Sequence, residues 1–324
     1  MPRIAPPRTP SPEQIALRGR AALNTRLPFR ARDALAAGYT RRELASSRFR
    51  RLLPGVYIDS DVPVDEWILA RAVLAIAMPE AFVSHHLAAR LHGGIVPSVP
   101  LLDASVPPWR HRSVRAGVFI HHSPRKPVVV RGVPVTTPAD TFIDLADALD
   151  LIHLVVLGDS LVRRGRVTVA QLVAAAASAP DRLRRRAERA AALVRAGVDS
   201  PMETRLRLLI VLAGLPEPQV NLVFRDEDGT LVRRIDLGYR DHRLGIEYDG
   251  RQHAESTRQW QGDIRRREEF DALGWRIITI VAADLYRTPS GTLERIVDAM
   301  RAQGMRVPRL SHGWCAYFAD VPGS

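Results

Sequence analysis

From Ser200 onward the apolar positions change character. Ser200-Pro201-Met202-Glu203 opens a helical pattern that runs through Leu206, Leu208, Leu209 and Ile210 to Gly214. A strand pattern follows near Val220 to Phe224, then a turn at Asp226 to Gly229. Strict alternation begins next: Ile235, Leu237 and Tyr239 against Asp236, Gly238 and Arg240. After Asp241-His242 it resumes as Leu244, Ile246 and Tyr248 against Gly245, Glu247 and Asp249. If Asp241 and His242 form a two-residue turn, position 236 lies across from 247. Asp236, Glu247 and Asp249 then share one face, with the apolar side chains on the other. A helix centred on Gln261 to Leu273, a continuous apolar strand from Trp275 to Val281 and a last helix from Thr292 to Met300 complete the stretch.

The first half is organised differently. Ala31 to Ala37 reads as a short helix ended by Gly38, and Thr40-Arg41-Arg42-Glu43 is a capping box that opens a second helix. Helix, glycine turn and capped helix predict a helix-turn-helix, and the R-F-R-R-L-L-P-G-V-Y-I that follows reads as a basic strand or wing. Arg41, Arg42, Arg48, Arg50 and Arg51 crowd this unit as candidate DNA-binding residues; a solvated arginine face on a helical hairpin is the alternative. Val64 to Met78 and Val83 to Leu91 read as helices and Val114 to Ile120 as a strand. Thr137 and Pro138 start a further helix, as N-cap and first-turn residue. Pro180 to Gly197 is an Arg- and Ala-rich helix without a wide apolar stripe, read as a connector, with Arg182, Arg184, Arg185 and Arg186 meeting a DNA backbone as the other reading.

The expected class is therefore α/β multi-domain. Residues 1–27 form a Pro-rich disordered arm, 28–60 a winged helix-turn-helix, 61–179 a mixed α/β region and 180–197 a linker helix. Residues 198–300 form a separate α-β-β-β-α-β core and 301–324 a tail.

Charge sharpens this division. The chain of 324 residues carries a formal +12, which points to a polyanionic partner, with nucleic acid first. Residues 1–197 hold 29 basic and 16 acidic side chains, whereas 198–300 hold 15 and 18, so the basic half is the N-terminal one. Lys126 is the only lysine. The longest apolar run, Trp67 to Met78, contains Arg71 and ends at Pro79, too short and too polar to span a bilayer. No secretory signal pattern opens the chain, and the lone Cys315 allows neither an internal disulfide nor a cysteine metal cluster. A cytoplasmic location and no membrane partner are expected.

Carboxylates facing one another across a strand pair repel unless a cation lies between them. Asp236, Glu247 and Asp249 are thus a candidate site for a divalent metal such as Mg²⁺ or Mn²⁺. Two histidine pairs, His85-His86 and His121-His122, invite a metal reading as well. Adjacent histidines on one element diverge, and no cysteine or spaced carboxylate completes a site, so satisfied or exposed histidines are expected there.

Two resemblances bear on these motifs. The stretch A-L-A-A-G-Y-T-R-R-E-L with R-R-L-L-P-G-V-Y-I, continued by V-S-H-H-L-A-A-R-L-H-G, V-F-I-H-H-S and G-V-P-V-T-T-P-A-D-T-F-I-D-L-A, resembles the abortive-infection antitoxin family of type IV toxin–antitoxin systems. It covers roughly residues 28–175 and implies a DNA-binding winged helix, with a toxin or other protein as a further partner. In the C-terminal part, S-P-M-E, R-I-D-L, I-E-Y-D-G-R-Q-H, D-I-R-R-R and L-G-W-R-I-I resemble the restriction-endonuclease-like superfamily, and most of all its very-short-patch-repair-related endonuclease domains.

That resemblance implies a metal-dependent DNA endonuclease or nickase. Asp236 and Glu247 become metal ligands, Glu203 a helical carboxylate reaching the metal shell and His253 a water-activating base. Arg266, one helical turn after Asp263, becomes a phosphate contact. Each has a plainer counterpart: Glu203 completes a capping box with Ser200, His253 binds a loop carbonyl, and Asp263–Arg266 is a surface ion pair. Asp249 stands where the superfamily usually carries a lysine, and so is either a third ligand or a weakening of the site. The competing function is an antitoxin-like DNA-binding transcriptional regulator whose nuclease fold is inactive; RNA as substrate and the oligomeric state stay open.

Overall fold

The computed structural model describes residue 20 and residues 22–111, 116–225, 228, 231–250 and 270–321. The chain divides into two compact units, Met1–Leu91 with Pro97–Thr141, and His92–Val96 with Phe142–Ser324. This line falls inside the stretch read as one α/β region, and helix 181–191 belongs to the second unit.

The first unit opens on strand β1 (Phe29–Arg30), helix α1 (Ala31–Ala36) and helix α2 (Arg41–Leu44). Gly38 turns the chain between the helices at φ 89°, a left-handed backbone that costs glycine nothing. The expected capping box is formed: the Thr40 hydroxyl accepts the Glu43 N–H at 3.1 Å, and the Glu43 carboxylate accepts the Thr40 N–H at 2.7 Å. Strands β2 (Phe49–Leu53) and β3 (Val56–Asp59) make an antiparallel hairpin, with β1 on the far side of β3. Phe29, Ala34, Tyr39, Leu44 and Phe49 form the small core that binds helices to hairpin.

Helix α3 (Glu66–Ile76), strand β4 (Phe82–Val83) and helix α4 (His85–Leu91) come next. The second expected helix is thus shorter at its start, because Phe82 and Val83 are drawn into a sheet. Strands β5 (Leu102–Val106), β6 (Val118–His122), β7 (Val128–Val130) and β8 (Val133–Val135) join β4 in the order β6-β5-β4-β8-β7. Helix α5 (Pro138–Asp144) begins as expected, with the Thr137 hydroxyl accepting the Asp140 N–H at 3.1 Å.

The second unit contains α6 (Leu151–Arg163), α7 (Val169–Ala177), α8 (Asp181–Ala191) and α9 (Pro201–Leu212). Helix α8 is packed, not a free connector: Leu183, Ala187, Ala190 and Ala191 are buried against its neighbours. Alanines make an apolar face too small to stand out by hydrophobicity but flat enough for close helix contact. Strands β9 (Gln219–Arg225), β10 (Leu231–Tyr239), β11 (Leu244–Asp249) and β12 (Arg276–Val281) form a sheet in the order β12-β11-β10-β9, parallel only between β11 and β12. Helices α10 (Ala282–Tyr286) and α11 (Pro289–Ala302) follow. The expected turn at Asp226 to Gly229 and the helix centred on Gln261 to Leu273 lie largely outside the described residues, as does most of the N-terminal arm. Among the described residues no helix is long and apolar enough to cross a membrane.

Candidate active site

Helix α9 starts at Ser200, whose hydroxyl accepts the Glu203 N–H at 3.2 Å, and Pro201 occupies the first helical turn. The Glu203 carboxylate does reach back over the helix start, but to the Asp199 N–H at 2.9 Å, one residue before the cap. Glu203 is only 6% exposed. Burial pushes its carboxyl above the usual range; the Asp199 N–H opposes this and the charge of Asp236 adds to it. The repulsion places two carboxylates from different elements, α9 and β10, within electrostatic reach. Capping and membership of an acidic site therefore coexist in one side chain.

The β10–β11 register is the one expected from the turn: Tyr239 pairs with Leu244, Gly238 with Gly245 and Leu237 with Ile246. Arg240 to His242 form a 3-10 turn closed by Arg243 at φ 48°. The ladder then stops one step short of Asp236 and Glu247. Instead of a backbone bond, the Asp236 Oδ2 accepts the Tyr248 N–H at 2.9 Å. Asn221, opposite Asp236 in the β9–β10 register, has φ 51°, a conformation asparagine tolerates better than most residues.

This break corrects the expectation of one apolar and one acidic face. A Cβ placed on Gly245 would lie 2.6 Å from Ile277 Cδ1 and 3.0 Å from Ile235 Cγ2, so Ile235 is on the glycine side of the sheet. There it packs with Leu222, Phe270 and Trp275. Apolar side chains thus cover both faces beside the split, and the Asp236 carboxylate lies at the split itself. Glu247 and Asp249 are half-buried on β11, level with Thr279 and Val281 of β12. Burial raises the Tyr248 phenol, with Tyr286 and Asp249 contributing.

Glu203, Asp236, Glu247 and Asp249 therefore lie in one unit, on α9, β10 and β11. Their donors are all carboxylate oxygens, the chemistry that suits Mg²⁺ or Mn²⁺ and not a soft metal. Among the described residues, however, no three histidine, cysteine or carboxylate side chains converge as a metal site. His253, Asp263 and Arg266 lie outside the described residues.

Behind this site runs an ionic network that the sequence reading missed. Arg207, one turn beyond Glu203 on α9, is fully buried. Its guanidinium meets Asp159 of α6 at 3.1 Å and Glu217 at 3.2 Å. Asp159 also accepts the Thr204 hydroxyl at 2.8 Å and the Arg195 N–H at 2.7 Å. Burial pushes the Asp159 carboxyl up, against the pull of Arg207 and these donors. Glu217 in turn holds Arg195 at 2.8 Å. The signal was present in the chain: an acid inside L-I-H-L-V-V-L-G-D-S-L and a base inside L-R-L-L-I-V-L, each set in a largely apolar stretch.

In the first unit, Arg41, Arg42, Arg48, Arg50 and Arg51 are all exposed on α2, β2 and the link between them. Arg48 lies over the rings of Tyr39 and Phe49 and Arg50 donates to the Ser60 carbonyl at 3.1 Å. In the second unit, Arg182 and Arg186 pair with Asp147, and Arg184 with Asp181. The histidine pairs are internally satisfied. His86 and His121 both hydrogen-bond Asp103, at 3.2 and 2.9 Å, and His85 stacks on His121 with ring centroids 3.5 Å apart. His122 bonds the Arg110 carbonyl at 2.8 Å.

Comparison with known proteins bears on the C-terminal part. Residues 222–300 match the family model REase_MTES_1575, a restriction endonuclease-like family, which supports a restriction-endonuclease-like domain there and suggests nuclease function. Two relatives, the uncharacterized proteins MT2308 and Rv2248 of Mycobacterium tuberculosis strains CDC 1551 / Oshkosh and H37Rv, are each 30% identical over 109 residues. The match takes in 33% of this chain and spans 40% of the relatives' length. The crystal structure of the RV2827C protein from Mycobacterium tuberculosis aligns with 59% of this chain and 78% of its own at 14% identity and a TM-score of 0.37.

Proposed function

We propose that the chain is a divalent-metal-dependent DNA endonuclease or nickase, cutting with its second unit and gripping DNA with its first. The observation that carries this is the Asp236 carboxylate, set into the gap where β10 leaves β11 and close enough to Glu203 to raise its pKa. A fold stabilised for its own sake gains nothing from two mutually repelling carboxylates at a sheet split. Asp236 and Glu247 are the proposed metal ligands, Asp249 a third, Glu203 an acidic neighbour of the metal shell and His253 the base that takes the proton of the attacking water. A bound Mg²⁺ or Mn²⁺ supplies polarisation of a phosphoryl oxygen and a more acidic water.

Charge supports the division of labour. The first unit carries 20 basic and 10 acidic side chains, the second 27 and 25. Phosphate binding then falls mainly to the winged helix-turn-helix proposed for residues 28–60, through Arg41, Arg42, Arg48, Arg50 and Arg51; Arg266 is the proposed phosphate contact of the cutting unit.

A second reading, an antitoxin-like DNA-binding regulator with an inactive nuclease fold, is favoured by Asp249, which brings negative charge where a lysine would stabilise the transition state. One assay separates them: supercoiled plasmid and single-stranded DNA with Mg²⁺ or Mn²⁺, wild type against Asp236→Ala and Glu247→Ala. Cleavage lost in both variants supports the enzyme. No cleavage by wild type, or cleavage unchanged in both variants, sinks it.

A further inference from the structure

The first unit holds a tryptophan that the reading above leaves without a role. Trp109 is 76% exposed, the most exposed of the large apolar side chains in the described residues. Such a ring on a mobile loop would need no explanation, but the turn that carries this one is anchored. Glu80, itself at φ 69° in the left-handed region, pairs through its carboxylate with Arg110, the residue after Trp109, at 2.6 and 3.3 Å. The Arg110 N–H closes a turn onto the Pro107 carbonyl at 3.0 Å, and His122 anchors the Arg110 carbonyl from β6. These bonds fix the backbone at Trp109 while its ring stays open to solvent.

Beside that face lies a groove of about 540 Å³ walled by Phe82, Pro107, Pro124, Pro127 and Pro134. Two cations border it. Arg125 is paired with Asp140 at 2.6 Å, while Lys126 is exposed and has no ion pair among the described residues. An open aromatic face on an anchored turn, a flat apolar wall and one uncommitted cation match a nucleotide: a base for the ring, a phosphate for the ammonium. A duplex hides its bases' faces, so the strand must be unpaired at that point.

We propose that Trp109 is a stacking platform for one unpaired base of a DNA strand, with Lys126 contacting its phosphate, so that the protein selects DNA with single-stranded character. The proposal rests on the reading that the first unit grips DNA, and commits to a nucleic acid over a proline-rich peptide because that unit's basic side chains outnumber its acidic ones two to one.

The test is equilibrium binding of the full chain to fluorescent oligothymidylate and to a duplex, in chelator so that no cleavage intervenes. Trp109→Ala is expected to weaken oligothymidylate binding by about 5- to 150-fold and to leave duplex binding unchanged; Trp109→Phe, which keeps a ring, restores most of the loss. Lys126→Gln is expected to lower the slope of log affinity against log salt by about 0.7 for the single strand. Unchanged single-strand affinity in Trp109→Ala, or an equal loss on both DNAs, overturns the platform while leaving DNA binding by the unit intact. Binding of a polyproline peptide that Trp109→Ala abolishes, with single-strand affinity unaltered, overturns it in favour of a peptide groove. If wild type binds neither DNA, the platform falls together with the DNA grip proposed above.

Discussion

Arg207→Met is the most informative single perturbation of the second unit. It removes a fully buried guanidinium and keeps most of its volume, so the packing loss is small and the electrostatic loss dominates. Asp159 keeps the Thr204 hydroxyl and the Arg195 N–H but loses its counter-charge at 3.1 Å. An unpaired buried charge of this kind costs about 3–5 kcal/mol. For a unit of this size that corresponds to a fall of about 6–20 °C in its thermal midpoint. The cost depends on pH in a defined direction. Asp159 already has a folded pKa above the ordinary 3.8, because burial outweighs Arg207. Removing Arg207 raises it further, so the folded state holds a proton that the unfolded state releases above 3.8. Stability of the variant is therefore highest at acid pH and is lost as pH rises through the folded pKa of Asp159. Adding Asp159→Leu to Arg207→Met should recover most of the loss, since a well-packed apolar pair replaces a buried ionic one at little cost. Urea unfolding of all four proteins at acid and neutral pH gives the comparison. A loss below about 1 kcal/mol in Arg207→Met, or a double variant as unstable as the sum of the singles, would refute the reasoning.

Three further outcomes are expected. His85 is pushed from 6.5 to about 3 by burial and the stacked His121, so below pH 6.5 the unfolded chain takes up a proton that the folded chain refuses. Stability of the first unit should fall by about 1.4 kcal/mol per pH unit between roughly 6.5 and 3, a dependence that calorimetry should find weakened in His85→Gln; a flat profile in wild type contradicts it. Asp103, held low by His121 and His86 against the effect of burial, adds a loss of the same sign below the ordinary carboxylate range. Gly238→Ala would set a Cβ 2.5 Å from Leu222 Cδ1 and 2.9 Å from the Leu244 carbonyl, and since the latter is backbone in a paired strand, about 1–3 kcal/mol of overpacking should appear in denaturant unfolding. A fragment of residues 198–324 removes α6 and with it Asp159, leaving Arg207 half-paired; circular dichroism should show it unfolded where residues 142–324 fold, and cooperative melting of the shorter fragment would show the buried pair to be dispensable.

What could be read in the chain, and what could not, divides along a physical line. Features set by short-range chemistry were legible: the Thr40 capping box, the Gly38 turn, and a β10–β11 register counted outward from Asp241 and His242. Each depends on residues within a few positions of one another. The features that were misread depend on partners far apart. Alternation through Ile235, Asp236 and Leu237 predicts a regular strand, and nothing local to β10 says that Asn221, fifteen positions earlier, will adopt a left-handed conformation opposite Asp236. That distant residue lies opposite the carboxylate that accepts the Tyr248 N–H where ladder pairing with β11 stops.

Arg207 and Asp159 are the same lesson in helices. Each taken alone is an anomaly, a full charge within an apolar run, and local reasoning discounts a single charge as a side chain that reaches solvent. Taken as a pair of opposite sign on two helices, they specify that α6 and α9 meet, at which turn, and therefore where Glu203 stands relative to β10. The acidic site and the ionic network behind it are thus linked through one helix. Glu203 and Arg207 are four residues apart, and a rotation of α9 that moved one would move the other. A charge buried in an otherwise apolar helix is best read as a search term for its partner elsewhere in the chain, because burying it unpaired would cost more than most folds can bear.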